Sequence, residues 1–70
     1  MIIKSNVRCT ELDPTLKYFF KVGGVYSTES YHDMEVDEVF IRDPYGEKWN
    51  AYVWGGKVKL YGFEAVFEFI

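Results

Sequence analysis

Ser30, His32 and Asp33 bring a hydroxyl, an imidazole and a carboxylate into one short stretch. These are the residue types of a nucleophile, its base and the group that orients the base. On a strand Ser30 and His32 would share a face, because side chains alternate with a period of two. Nothing nearby positions the base against the nucleophile or supplies donors for a developing oxyanion. The stretch therefore reads as polar loop, and no enzyme activity is expected. His32 with Asp33, Glu35 and Asp37 offers ligands for a cation. A calcium loop needs alternating Asp or Asn ligands, a Gly and a final Glu, and this run lacks that order. It reads as a solvated acidic loop, and no metal is expected. Gly23-Gly24 lacks the further glycines and the following helix of a phosphate cradle. Cys9, the single cysteine, reads as a small buried hydrophobe. No cofactor is expected.

Two surface constellations carry more. The first combines Phe40, Tyr52, Trp54 and Tyr61 with Lys48, Lys57 and Lys59. Trp and Tyr dominate protein-binding hot spots. Rings that stack bases beside lysines that reach phosphate are also what a single-strand nucleic-acid surface requires. A third use of the same rings is structural: a second small core, covered by the N-terminal segment or by a second copy of the chain. The other constellation is the acidic run Glu29, Asp33, Glu35, Asp37 and Glu38. It could dock onto a nucleic-acid-binding protein by imitating phosphate. The plainer reading is a charged loop that keeps the chain soluble.

The elements that must position these groups are centred on residues 38–61. Asp43-Pro44-Tyr45-Gly46 has the chemistry of a hairpin turn: Asp bonds forward to the turn backbone, Pro presets φ, and Gly can take positive φ. Gly55-Gly56 signals a two-residue primed turn. Each turn fixes a register. The first sets Asp43 opposite Glu47, Ile41 opposite Trp49 and Val39 opposite Ala51. The second sets Trp54 opposite Lys57, Val53 opposite Val58 and Ala51 opposite Leu60. Both then place Val39, Ile41, Trp49, Ala51, Val53, Val58 and Leu60 on one apolar face. The opposite face holds Glu38, Phe40, Arg42, Lys48, Asn50, Tyr52, Trp54, Lys57, Lys59 and Tyr61.

Elsewhere, residues 2–10 alternate as a strand with Ile3, Ser5, Val7 and Cys9 on one face. Residues 15–22 are expected to be extended, with Leu16, Tyr18, Phe20 and Val22 aligned. A short helix started by Asp13-Pro14 is the alternative, because Leu16, Phe19 and Phe20 also fit helical spacing. Residues 25–28 begin a strand, and 29–38 read as a loop or a ragged hairpin flank. Gly62-Phe63 is a bend, and Glu64–Ile70 is the last strand, with Ala65, Phe67 and Phe69 on one face.

Seventy residues allow one domain, 1–70. So short a chain buries only about 60% of its unfolded surface. Its aromatic content of 20% offsets this, since each buried ring removes roughly 150–250 Å² from water. A net charge of −3 argues against general nucleic-acid binding. One cysteine fits a reducing compartment. The start MIIKSNVRCTELD shows no long apolar run and no processing site, so neither a signal peptide nor a membrane segment is expected. The expected location is the cytoplasm. The expected architecture is all-β: a small, partly open barrel of five to six strands with little or no helix.

Three stretches share a rhythm: Lys21-Val22-Gly23-Gly24-Val25-Tyr26 before the acidic run, Val39-Phe40-Ile41-Arg42-Asp43-Pro44-Tyr45-Gly46-Glu47, and Phe63-Glu64-Ala65-Val66-Phe67-Glu68. Together they resemble a loose group of very short phage- and prophage-encoded SH3-like β-barrel proteins. The chain departs from that pattern at Gly24, where Lys is more usual, and in the tightness of the Gly55-Gly56 hairpin. The resemblance implies an SH3-like barrel acting in a bacterial host cell and transfers no functional residues. Members with known roles bind and block a host protein. The expected function is thus a non-catalytic protein-binding module that modulates a host protein. The alternative is a single-stranded nucleic-acid-binding barrel that uses the aromatic and lysine face.

Overall fold

The computed structural model describes residues 2–32 and 37–70, with Ile2, His32 and Asp37 described by backbone only. Six antiparallel strands follow one another: β1 (Ile2–Leu12), β2 (Val25–His32), β3 (Asp37–Arg42), β4 (Lys48–Trp54), β5 (Lys57–Leu60) and β6 (Ala65–Phe69). Each pairs with the next, and β6 pairs back onto β1, so the barrel is closed rather than partly open. Closure depends on the length of β1. Its 11 residues pair with β2 over Ile2 to Arg8 and with β6 over Val7 to Leu12. Each described strand has a neighbour on both sides over part of its length, which shortens the open edges that are the usual hazard of a small sheet protein. The result is a small SH3-like barrel with one three-residue 3₁₀ turn as its single helical element among the described residues.

Both central hairpins take the register that their turns dictate. Val39 faces Ala51 and Ile41 faces Trp49. Ala51 faces Leu60, Val53 faces Val58 and Trp54 faces Lys57. Gly55 and Gly56 have φ of 59° and 79°, the pair of positive values a type I′ turn needs. At the other hairpin Asp43 does more than start a turn. Its Oδ1 accepts the Tyr45 and Glu47 amides at 2.9 and 3.0 Å, and its Oδ2 accepts the Trp49 indole N–H at 2.9 Å. The carboxylate is 5% exposed, and three donors compensate its burial.

Alternation puts Val7, Cys9, Tyr26, Ile41, Ala51, Val58, Leu60, Ala65 and Phe67 inside the barrel. Val39 and Trp49 are half-buried against this core. Val53, on the same face, is 49% exposed because β4 there nears its end. Each fully buried side chain contributes roughly 1.5–3 kcal/mol. Thr28, also buried, satisfies its hydroxyl by donating to the Phe40 carbonyl at 2.9 Å. Cys9 is a core residue, 1% exposed, and burial raises its thiol pKa.

Besides the closure of the barrel, one expectation changes: residues 15–22 are not a strand, and the alternative of a short helical turn started by Asp13-Pro14 holds. Asp13 caps a 3₁₀ turn, Pro14–Leu16, and its Oδ1 accepts the Thr15 amide at 2.9 Å. The Phe20 amide then bonds to the Leu16 carbonyl at 3.0 Å, which brings Leu16 and Phe20 onto one side. Both are core residues, whereas Tyr18 and Val22 are 73% and 63% exposed. The cap and the i, i+4 spacing outweigh a period-two alternation that would have aligned all four. For residues 29–38, read as a loop or a ragged hairpin flank, the hairpin flank holds over the described residues: β2 runs to His32 and β3 begins at Asp37, with Tyr31 opposite Glu38 and Ser30 opposite Val39.

Candidate functional site

Because side chains alternate, the registers that fill the barrel also fix what its outside presents. Across the strands, one row runs Lys4, Glu29, Phe40, Asn50. Tyr61 closes it, with its amide bonded to the Asn50 carbonyl at 3.0 Å. A second row runs Tyr52, Lys59, Val66, Glu11. A third runs Trp54, Lys57, Glu68, Arg8, Val25. Phe40, Tyr52, Trp54 and Tyr61 therefore lie on the outer surface of β3–β5, as the turn chemistry predicts.

No described part of the chain covers Trp54 or Tyr61, whereas Phe40 is half-buried against Tyr31. Trp54 is 70% and Tyr61 61% exposed. Tyr52 is half-buried, its ring tilted at 45° against Tyr61 with centroids 4.7 Å apart. Aromatic pairs in this range contribute about 0.5–1.5 kcal/mol beyond their area, so each ring restrains the other. Phe40, Asn50, Tyr52 and Tyr61 line a groove of about 500 Å³ on this side. The second-core alternative thus has no support within a single described chain.

The lysines of this face are largely engaged. Lys48 Nζ lies 5.2 Å from the Phe40 ring centroid and 5.6 Å from that of Tyr31, within cation–π range. Lys57 Nζ lies 3.7 Å from the Glu68 carboxylate. Lys59 is half-buried between its partners Tyr52 and Val66. A row of ammonium groups standing free for phosphate is not what the strands display.

The acidic run divides. Asp33 and Glu35 lie outside the described residues, and Asp37 is described by backbone only. Glu38 is exposed in β3. Glu29 belongs to no loop. It sits in β2, 9% exposed, and accepts the Tyr31 hydroxyl at 2.6 Å and the Arg42 Nε–H at 3.3 Å. The Tyr31 hydrogen bond, with the Arg42 bond and charge, holds the Glu29 carboxyl below its ordinary pKa. The same bond raises the Tyr31 phenol. Glu29 is an internal partner of this surface and not a free contact for a basic protein.

Tyr31 was the ring that sequence reasoning missed. Extending the alternation from Val25 places Glu29 and Tyr31 outward beside Phe40, and the two rings meet edge to face at 5.7 Å. Ser30 and His32 keep the shared parity of a strand, but Ser30 faces Val39 across the hairpin. Among the described residues no group of three His, Cys, Asp or Glu side chains could hold a metal ion. No helix among the described residues is long and apolar enough to cross a membrane. Comparison with protein-family models, with curated proteins and with solved structures finds no match.

Proposed function

We propose that this chain is a non-catalytic protein-binding module whose contact face is the Tyr52, Trp54 and Tyr61 side of β4 and β5. One observation carries the reading. Trp54 stands 70% exposed beside the two-glycine turn, next to a pre-assembled Tyr52–Tyr61 pair. An exposed aromatic anchor on a fixed scaffold is what a hot spot requires, because little side-chain freedom is lost on binding. The resemblance to short phage-encoded barrels makes a bacterial host protein the partner class. Engaged lysines and a net charge of −3 disfavour the nucleic-acid alternative.

The test is paired. Host proteins are captured on the wild-type chain and on the Y52A/W54A double variant, and the captured partner's affinity is measured for both. Loss of Trp54 is expected to cost the complex about 2 kcal/mol or more, roughly thirtyfold. The unfolding midpoint of W54A should stay within about 0.5 kcal/mol of wild type, as for other exposed positions. A partner retained undiminished by the double variant removes this face as the contact. Tight, salt-sensitive binding of single-stranded DNA or RNA at low salt would favour the nucleic-acid reading instead.

A further inference from the structure

Between the aromatic face and the 3₁₀ turn runs a second groove, of about 490 Å³. Tyr52 forms one wall and Phe63 another, and Leu12, Leu60 and Ala65 give it an apolar floor. It joins two ring clusters. On the Tyr52 side lies Tyr61. On the Phe63 side lies Trp49, 5.3 Å away between centroids, which in turn contacts Phe19. The groove is built rather than accidental. β1 shifts register between Cys9 and Glu11, so Glu11 comes opposite Val66 on the outer face while Leu12 turns inward opposite Ala65. Bulges of this kind re-aim side chains. The Thr10 hydroxyl bonds to the Val66 carbonyl at 3.3 Å, and the Asp13 amide to the Glu64 carbonyl at 2.8 Å, tying both rims together.

Those rims carry Glu11, Asp13 and Glu64 against one cation, Lys59. Among the described residues no ion pair reaches the three carboxylates. Asp13 accepts both Thr15 bonds on Oδ1, so Oδ2 has no partner among the described residues. Those bonds lower its pKa and keep it charged. Aromatic walls with carboxylate rims match one chemistry best. A planar guanidinium can stack on a ring and take carboxylates side-on, which a compact ammonium does less well.

We infer that the groove between Tyr52 and Phe63 seats an arginine side chain of an extended segment of the protein partner. The inference rests on the protein-binding reading, since Tyr52 belongs to both surfaces, and it adds the partner's chemistry. Flanking apolar residues of the segment would lie on Tyr61 at one end and Phe63 at the other.

The test uses capped tripeptides, Ala-Arg-Ala, Ala-Lys-Ala, Ala-Leu-Ala and Ala-Glu-Ala, titrated into the labelled full chain and followed by amide shifts. The arginine peptide is expected to move Glu11, Asp13, Tyr52, Phe63 and Glu64 selectively and to bind tighter than the lysine peptide. E11Q and E64Q should each weaken it about two- to fivefold, the range of exposed ion pairs. K59Q should tighten it about twofold by the same reasoning. That sign is opposite to the one a phosphate-binding surface would give. Equal binding of the glutamate peptide, or shifts spread evenly over Glu38, Glu47 and Glu68, would overturn the inference. Shifts by the leucine peptide at Tyr52, Trp54 and Tyr61 with no arginine preference would overturn it while leaving the binding module intact. No shift by any peptide, with partner capture unaffected by Y52A/W54A, would remove both.

Discussion

Replacing Asp43 by Asn is the substitution that most directly tests how this barrel is held. The carboxylate uses its two oxygens for different tasks. Oδ1 gathers two turn amides and Oδ2 holds the Trp49 indole. An Asn can keep one of these arrangements but not both. With its oxygen on the turn, its NH₂ group meets the indole N–H, donor against donor. Flipped, it keeps the indole and abandons the amides. Hydrogen bonds to a charged group are worth about 1.5–3 kcal/mol, and neutral ones about half of that. The Asn form loses the indole bond and weakens the two turn bonds. Trp49 is half-buried, so water can partly satisfy its N–H, which places the net cost near 2 kcal/mol. A 70-residue domain has only about 3.5–10 kcal/mol in total. The expected fall in the thermal midpoint is therefore roughly 10 °C. D43A, which loses all three bonds, should cost about 3–4 kcal/mol.

The measurement is urea unfolding of wild type, D43N, W49F and the double variant, with the midpoints combined as a cycle. Phe keeps most of Trp49's packing against Phe19, Phe20 and Phe63 but has no N–H. In the W49F background D43N should cost about 1 kcal/mol less than in wild type. Equal costs in the two backgrounds would refute the two-oxygen account. So would a D43N cost below about 0.5 kcal/mol, the ordinary level for a surface turn residue.

Three further outcomes follow from the same structure. A Cβ on Gly24 would stand 2.6 Å from Tyr26 Oη, which already accepts the Lys21 amide at 2.8 Å; G24A should cost about 1–3 kcal/mol, and less when combined with Y26F, read by thermal unfolding. F20A should cost about 3–5 kcal/mol, whereas Y18A should stay within about 0.5 kcal/mol, a contrast that a strand over 15–22 would not produce. Glu29's folded pKa is lowered, so its contribution is present above the unfolded carboxylate value and is lost as pH falls through the folded one. Tyr31's folded pKa is raised, so its contribution is present below the unfolded phenol value and is lost as pH rises through the folded one. The stability difference between wild type and Y31F should accordingly be greatest between about pH 4.5 and 10 and shrink on both sides; a pH-independent difference would contradict the bond.

The central hairpins were legible because turn chemistry and hydrophobic alternation are local signals that could be checked against each other. Gly55-Gly56 and the Asp43 turn each specified a register, and one apolar face satisfied both. The Asp43–Trp49 bond went unread because the Asp was assigned to its turn alone, although the register sets Asp43 two residues beyond Ile41, the partner of Trp49, on the same face. Residues 15–22 were read as extended because Leu16, Tyr18, Phe20 and Val22 alternate by type, although only Leu16 and Phe20 are buried. Aromatic content is so high that period-two matches arise without a strand. The closure of the barrel depends on the length of β1 and the groove at Glu11 on its register shift, and no residue type announces either. Glu29 was counted with an acidic surface run, in a loop or ragged hairpin flank, because acidity was weighed above parity, and Tyr31 went unnoticed with it.

The arrangement separates stability from recognition along the strands themselves. Inward positions of β4 and β5 hold the core through Ala51, Val58 and Leu60, while outward positions of the same strands present Tyr52, Trp54 and Lys59. Trp54, exposed in this way, contributes little to folding, so it can vary in identity without unfolding the barrel. The charges around them are sorted. Arg42 is bound to Glu29, Lys57 to Glu68, and Lys48 lies over two rings. What is left uncompensated beside the rings is the rim of Glu11, Asp13 and Glu64. A surface whose cations are mostly engaged and whose three rim carboxylates outnumber the one rim cation, Lys59, repels phosphate and attracts basic side chains. That balance, set by strand register and one bulge, is the physical ground for preferring a protein partner over a nucleic acid.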